Sequence, residues 1–386
     1  MSSRDLYILI ALLSTACYLA FFLYYLLGWW TLHAFRPPAS FVPNTRISVV
    51  ISARNEERYI PQMLQDLHGQ DYPAGLWEVW IVDDHSEDRT AALLEAGRAS
   101  GTLPLHLISL AGELEPEEVV VAYKKKALET AINLAGGTLL VTTDADCRLQ
   151  PHWLSRIAAL FEQENCNMVA GPVLYEPSGS FFMKMQALDF AGFQGITAAC
   201  LRFHFANMCN GANLAFRKSA YEAVGGYKGT EQTASGDDML LMHKIARRYP
   251  GTVRFLKNRE AAVYTHAEPT WRGFWQQRLR WTSKSRHYTQ PLIPGMLGAV
   301  FVFYGLLLLT ALLGLRHPPF LMLAAIMAAV KLLIDFIFLW SVTRWFRQLR
   351  LMFLFLPAWL FHLLYVTALG TLAAFIKPTW KGRKTR

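Results

Sequence analysis

Residues 6–35 contain no aspartate, glutamate, lysine or arginine. The apolar run inside them, Leu6 to Trp30, exceeds the roughly 20 residues that cross a bilayer as a helix. That feature argues against a wholly soluble chain. The run is too long for the apolar part of a signal peptide and lacks a small-residue cleavage site, so it reads as a signal anchor. Trp29 and Trp30 suit the membrane interface, and Arg36, Pro37, Pro38 and Pro43 read as an extended connector. Three more apolar stretches follow: His287–Leu315, Pro318–Val342 with Lys331 and Asp335, and Leu351–Ile376 with Pro357 near its start. Only 17% of the 386 residues are charged, against about 25% in an average soluble protein. The 53% apolar content is unevenly spread, which excludes disorder, a collagen-like fibre and a small disulfide scaffold.

The formal net charge is +9. Such a balance can meet nucleic acid, but the basic residues cluster beside apolar runs, where they face anionic lipid. Membrane lipid is therefore the expected partner, and nucleic acid is not. The five cysteines, 17, 147, 166, 200 and 209, are odd in number and form no CxxC pair. They read as reduced thiols of a cytosolic domain, with no zinc spacing. Arg344, Arg347 and Arg350, between the third and fourth stretches, argue for a cytosolic loop, which places residues 31–288 inside. The tail KPTWKGRKTR has five basic residues, yet four simple spans would put it outside. Either the fourth stretch is re-entrant around Pro357, or the positive-inside tendency fails. Lys331 and Asp335 are spaced to pair within one helix. Intramembrane ionisable residues are functional candidates; the plainer reading is a self-neutralising pair.

The middle alternates strand and helix. Strands are expected at Ile47–Ser52, Val79–Asp83, Leu105–Ser109 and Leu139–Thr143. Helices are expected at Glu56–Leu67, from Ser86 as cap through Gly97, and at Lys124–Ala135 before Gly136-Gly137. This is an α/β sheet whose ligand site lies at the strands' carboxyl ends. Two acidic clusters fall there.

Asp83-Asp84-His85-Ser86 follows one strand. Its carboxylates can accept hydrogen bonds from a nucleobase or ribose; a helix cap is the plainer reading. Asp144-Ala145-Asp146 follows another. Carboxylates at i and i+2 of an extended segment point the same way, and Mg²⁺-like ions take one or two carboxylates plus phosphate oxygens and water. Gly236-Asp237-Asp238 opens the helical run Met239–Arg247; Asp238 can be a cap or a general base. In Gln277-Arg278-Leu279-Arg280-Trp281, helical spacing puts Gln277, Arg280, Trp281 and Lys284 on one face. That face can hold a diphosphate and stack on a sugar, or lie on a membrane. No GxGxxG follows the first strand and no P-loop is present.

The ordered set resembles the membrane-bound, inverting family 2 glycosyltransferases, which include cellulose, chitin and hyaluronan synthases and ceramide glucosyltransferases. VVISARNEE (49–57) looks like their opening strand, IVDDHSED (81–88) their first aspartate motif and TTDADC (142–147) their DxD. SGDDML (235–240) looks like their catalytic-base motif and QRLRW (277–281) their QxxRW. The likeness covers about residues 45–290. It implies a GT-A-type nucleotide-sugar-binding domain, an α/β fold with a Rossmann-like mixed sheet, plus transmembrane helices. The implied division is an anchor 1–30, a linker 31–46, a catalytic domain 47–266, an amphipathic interface helix 267–288, three apolar segments 289–376 and a basic tail 377–386.

The resemblance also implies roles. Asp84, with Glu56, would contact the nucleoside. Lys124 or Lys125, in YKKKALETAI, would sit near the nucleotide, although Tyr123 replaces the family's glycine. Asp144 would touch ribose or metal, and Asp146 the metal, Mg²⁺ or Mn²⁺. Asp238 would be the base. Gln277 and Arg280 would hold the diphosphate, and Trp281 would floor the acceptor site. Asn213, in Asn210-Gly211-Ala212-Asn213, would lie near the donor. His266 would reach metal or phosphate; a lone histidine is more often simply packed. The expected protein sits in a bacterial cytoplasmic membrane with its catalytic domain in the cytosol. It would transfer sugar, UDP-linked by family likeness, to a lipid or lipid-linked acceptor. A processive polysaccharide synthase is the alternative, and a non-catalytic nucleotide-sugar binder a remote one.

Overall fold

The computed structural model describes residues 1–113, 122–230, 236–283, 290–372, 379–380 and 383–384. The chain separates into two compact units. One holds Leu32–Glu176 and Cys200–His266; the other holds Met1–Thr31, Pro177–Ala199 and Ala267–Lys384.

The first unit contains β1 (Ile47–Ala53), β2 (Trp77–Asp83), β3 (Leu105–Ser109), β4 (Leu139–Asp144), β5 (Met168–Ala170), β6 (Val173–Tyr175), β7 (Leu214–Arg217), β8 (Val253–Phe255) and β9 (Val263–Thr265). Seven of them form one sheet in the order β3-β2-β1-β4-β7-β5-β8, and β6 pairs with β9. Only β7 runs antiparallel to its neighbours β4 and β5. The expected α/β sheet is present. β1 is buried along nearly its whole length, which is why ISVVISA reads as an apolar run rather than an alternation. Register places Ser52 opposite Asp144 and Ala53 opposite Asp83. Both acidic strand ends therefore lie at one edge of the sheet.

Two helices start later than expected. The first spans Ile60–His68, not Glu56–Leu67, and the second Thr90–Ala99, not Ser86–Gly97. The cause is a hydrogen-bonded staple between the loops after β1 and β2. Asn55 N–H donates to Ser86 Oγ (3.0 Å), Glu56 N–H to Thr90 Oγ1 (2.7 Å), Glu57 N–H to Asp88 Oδ2 (3.1 Å) and Glu87 N–H to Asn55 Oδ1 (2.8 Å). Ser86 is thus a cross-loop acceptor rather than a helix cap. Asn55 and His85 adopt the left-handed region, at φ 53° and 56°, to turn the chain off the strand ends. β5 to β9 escape sequence reading because each has only three or four residues, too few to show a period. The linker is pinned at both ends: Lys257 Nζ donates to Leu32 O (2.8 Å), and Thr45 N–H donates to Glu162 Oε1 (2.9 Å).

In the second unit, Ser3–Thr31, Leu292–Gly314, Pro318–Trp345 and Leu349–Leu372 are long and apolar enough to cross a membrane. They coincide with the four apolar stretches. Residues 284–289 and 373–376 lie outside the described residues, as does most of the basic tail. The last helix opens with a 3-10 turn, Leu349–Leu354, before Phe355–Leu372. Pro357 falls in its first helical turn, where the missing N–H is harmless. Exposed Leu13, Leu312 and Leu333 suit hydrocarbon. Lys331 and Asp335 do pair, at 2.5 Å, and Tyr18 O–H donates to Asp335 at 2.6 Å. The ammonium also lies 4.8 Å from the ring centres of Tyr304 and Trp359. The helix Phe181–Arg202, for which the sequence carries no expectation, lies within the 47–266 stretch, yet Pro177–Ala199 belong with the apolar helices.

Candidate active site

At the end of β4 the chain turns at once. Cys147 N–H donates to Asp144 O (3.2 Å), so DxD is a tight turn and not the extended segment expected. Its sidedness survives: Asp144 and Asp146 are half-buried while Ala145 and Cys147 are buried. The thiol following the motif is therefore a core group. Burial, reinforced by Asp146 and Asp144, pushes it well above its usual range.

Three motifs meet around one cation. Lys124 Nζ lies 2.6 Å from Asp144 Oδ1. Burial would lower the lysine pKa, but Asp144, Asp237 and Asp238 together hold it above the ordinary value. Lys125, the other candidate, is buried and donates to Thr230 O at 2.7 Å. Lys124 is thus the lysine among the carboxylates.

Asp238 is tied to the DxD strand by a short relay. Thr142 Oγ1, on β4, donates to Gly211 O (2.8 Å), and Gly211 N–H donates to Asp238 Oδ2 (3.1 Å). Asp238 Oδ1 accepts from Met239 N–H (2.8 Å) at the start of the Asp237–Arg248 helix. Gly236, at φ 83°, turns the chain into that helix, a conformation cheap only for glycine.

Asp84 is 1% exposed. Its Oδ1 lies 2.9 Å from His85 Nδ1 and 3.8 Å from Arg54 Nη1. Burial pushes its carboxyl up, against the pull of His85 and Arg54. Its neighbour Asp83, in the same acidic cluster, has a buried Oδ1 that accepts no hydrogen bond among the described residues. Glu56 is half-buried beside the staple.

Asn213 is held by hydrogen bonds on every polar atom of its side chain. It is 1% exposed. Its Oδ1 accepts from Trp153 Nε1 (2.9 Å), and its Nδ2 donates to Pro172 O (2.9 Å) and Ala261 O (2.8 Å). Both amide N–H groups are committed to backbone, so the Asn213 side chain is an internal tie. Gly171 must be glycine because a Cβ there would come within 2.3 Å of this amide. Asn213→Ala would orphan an indole N–H and two carbonyls. It is expected to lower the thermal midpoint by roughly 5–10 °C while leaving nucleotide affinity of the folded protein unchanged. Loss of nucleotide binding at an unaltered midpoint would return it to the substrate.

Two carboxylates with hard oxygen donors, Asp144 and Asp146, suit a Mg²⁺-like ion whose shell is completed by phosphate and water. Among the described residues no group of three His, Cys, Asp or Glu forms a ready-made cage. His266 does not join the two: it stacks on Tyr59 at 5.1 Å and faces Glu176 at 3.8 Å.

In the second unit, Gln277, Arg280 and Trp281 lie on the Trp271–Ser283 helix; Lys284 is outside the described residues. Arg278, between them, is buried. It donates to Asp189 Oδ2 at 3.1 Å and lies 4.3 Å over the Trp281 ring. Asp189 also meets His362 Nδ1 (2.6 Å) and Tyr365 O–H (2.7 Å). Burial pushes Asp189 up, but His362 and Arg278 hold it below the ordinary carboxylate range. Nothing in the sequence flags this cluster, because its members are far apart along the chain.

The sequence pattern of glycosyl transferase family 2 matches residues 48–225, and that of glycosyl transferase family group 2 matches residues 139–377. The chain belongs to glycosyl transferase family group 2. It is 30% identical over 129 residues to a beta-monoglucosyldiacylglycerol synthase of Trichormus variabilis, covering 32% of this chain and 25% of that protein. It is 25% identical over 258 residues to the probable glycosyltransferase YdaM of Bacillus subtilis, 63% of this chain and 56% of that protein. The chain thus spans about a quarter of the synthase. Among solved structures it resembles the Pyrobaculum calidifontis mannosyltransferase PcManGT in complex with GDP-Man and Mn²⁺, at TM-score 0.61 and 21% identity, covering 96% of this chain and 99% of that one. The chain has the GT-A-type fold with added apolar helices.

Proposed function

We propose that this glycosyltransferase is an integral membrane, metal-dependent, inverting enzyme that moves a sugar from a nucleotide-sugar to a hydroxyl of a lipid or lipid-linked acceptor at the cytosolic face. One observation carries the reading. The DxD, the Gly-Asp-Asp motif and the YKKKAL helix bear on Lys124, whose ammonium pairs with Asp144 at 2.6 Å and feels the charge of Asp237 and Asp238.

Asp238, fixed by two backbone N–H groups, takes the proton from the acceptor hydroxyl. The freed oxygen attacks the anomeric carbon in line, and configuration inverts. A divalent cation, when bound by Asp144 and Asp146, would neutralise charge gathering on the departing diphosphate. Lys124 offers positive charge beside it. Asp84 and Glu56 are assigned to the nucleoside, Gln277 and Arg280 to the diphosphate, and Trp281 to the acceptor, all by motif likeness.

The lipid acceptor is supported by the four apolar helices and by a relative named for diacylglycerol glycosylation. Mn²⁺ use is supported by the metal in the mannosyltransferase complex. UDP is favoured by family likeness, but that complex holds GDP-mannose, so both nucleotides belong in the test. A polysaccharide-exporting synthase gains no support from the Lys331–Asp335 pair, which is closed on itself and on Tyr18. The protein in detergent or bilayer, given Mn²⁺ or Mg²⁺, labelled UDP- and GDP-sugars and total lipid extract, is expected to move label into the organic phase. Label in a high-mass aqueous product would instead make it a synthase.

A further inference from the structure

Arg278 and Trp281 are three apart on one helix, so their side chains meet on one face. The guanidinium lies 4.3 Å from the indole centre, and its far side is held by Asp189 at 3.1 Å. The same stretch that supplies Asp189 supplies two rings at the indole: Phe190 at 5.8 Å, tilted, and Phe193 at 6.4 Å, edge-on. Asp189 is itself fixed by His362 and Tyr365, from the Phe355–Leu372 helix. Below this polar knot, Phe274 and Leu279 of the motif helix pack on Tyr365 and Leu369. Three helices thus converge on one carboxylate, and the carboxylate touches the cation that lies over the face of Trp281.

We propose that Asp189 is a positioning residue which, acting through Arg278, sets the pose of the Trp281 indole and ties it to the last apolar helix. Its consequence for transfer rests on the reading of Trp281 as part of the acceptor site. A carboxylate fits this task better than an apolar contact because it fixes direction: both oxygens are engaged, one by His362, the other by Arg278 and Tyr365. A misplaced side chain near a reacting group can cost up to about a hundredfold in rate.

The full-length protein in detergent, labelled with 5-fluorotryptophan, provides a direct readout. The fluorine resonance lost in Trp281→Phe identifies Trp281. Asp189→Asn is expected to shift that resonance beyond its linewidth while most of the other indole resonances stay in place. Tyr365→Phe, which keeps the ring and removes one hydrogen bond, should shift it less, and Asp189→Glu should move it part-way back. In the lipid-extract assay, Asp189→Asn is expected to raise the half-saturating lipid concentration about tenfold or more, with donor KM unchanged. Combined with Trp281→Ala it should add little, since both act at one point. A Trp281 resonance unmoved by Asp189→Asn, or fully additive kinetics, overturns the proposal. If the resonance moves but Trp281→Ala leaves lipid saturation unchanged, the acceptor role of Trp281 fails while the positional link stands. Should Asp189→Asn not accumulate, Tyr365→Phe and Arg278→Lys carry the same comparison.

Discussion

Asp238→Asn is expected to abolish sugar transfer while nucleoside diphosphate still binds. General-base catalysis is worth about 10²–10⁴ in rate, so turnover should fall at least a hundredfold on that scale. The substitution keeps shape and removes basicity, but it is not silent locally. Asp238 accepts with both oxygens, from Gly211 and Met239 N–H, and an asparagine would turn its NH₂ toward one of these donors. A small fall in thermal midpoint, corresponding to about 1 kcal/mol, is therefore part of the expected result. Nucleotide affinity measured on the same preparation separates the two effects. Equal release of nucleoside diphosphate by wild type and variant, at equal nucleotide affinity, would remove Asp238 from the base role.

Chelation is expected to have an effect of similar size. EDTA should stop transfer, and Mn²⁺ or Mg²⁺ should restore it. Two variants divide the acidic turn. Asp144→Ala removes a carboxylate and also leaves the Lys124 ammonium without its 2.6 Å partner, so it should damage both metal use and nucleotide affinity. Asp146→Asn leaves that ion pair intact. It should mainly raise the metal concentration needed for half-maximal activity, by about tenfold, in line with loss of one ligand. Full activity in EDTA would end the metal argument. A metal requirement unmoved by Asp146→Asn would restrict it to Asp144.

The contrast between Asn213 and Asp189 shows why some side-chain roles cannot be read from sequence. Asn213 sits in a loop whose likeness to the family implies a place near the donor. Only the fold shows Trp153, Pro172 and Ala261 closing on its amide. Asp189 sits in no motif at all, and its partners lie 89, 173 and 176 residues away. The lysine doublet is similar. Neighbouring residues on a helix point apart, so one of Lys124 and Lys125 had to turn inward. Which one did so depends on where β4 and Thr230 stand.

Local chemistry was enough for the elements whose signal is short-range. Charge-free runs longer than a bilayer, buried β-rich runs such as Ile47–Ala53, and acids at strand ends are dictated by the chain's own need to bury apolar groups and keep charge near water. Tertiary structure decided the rest. It stapled the Asn55 and Ser86 loops and delayed two helices. It moved Pro177–Ala199 in with the apolar helices. It also joined Thr142, Gly211 and Asp238 into a relay. These outcomes depend on hydrogen-bond partners distant in sequence, whose pairing is set only when the sheet and helices have packed.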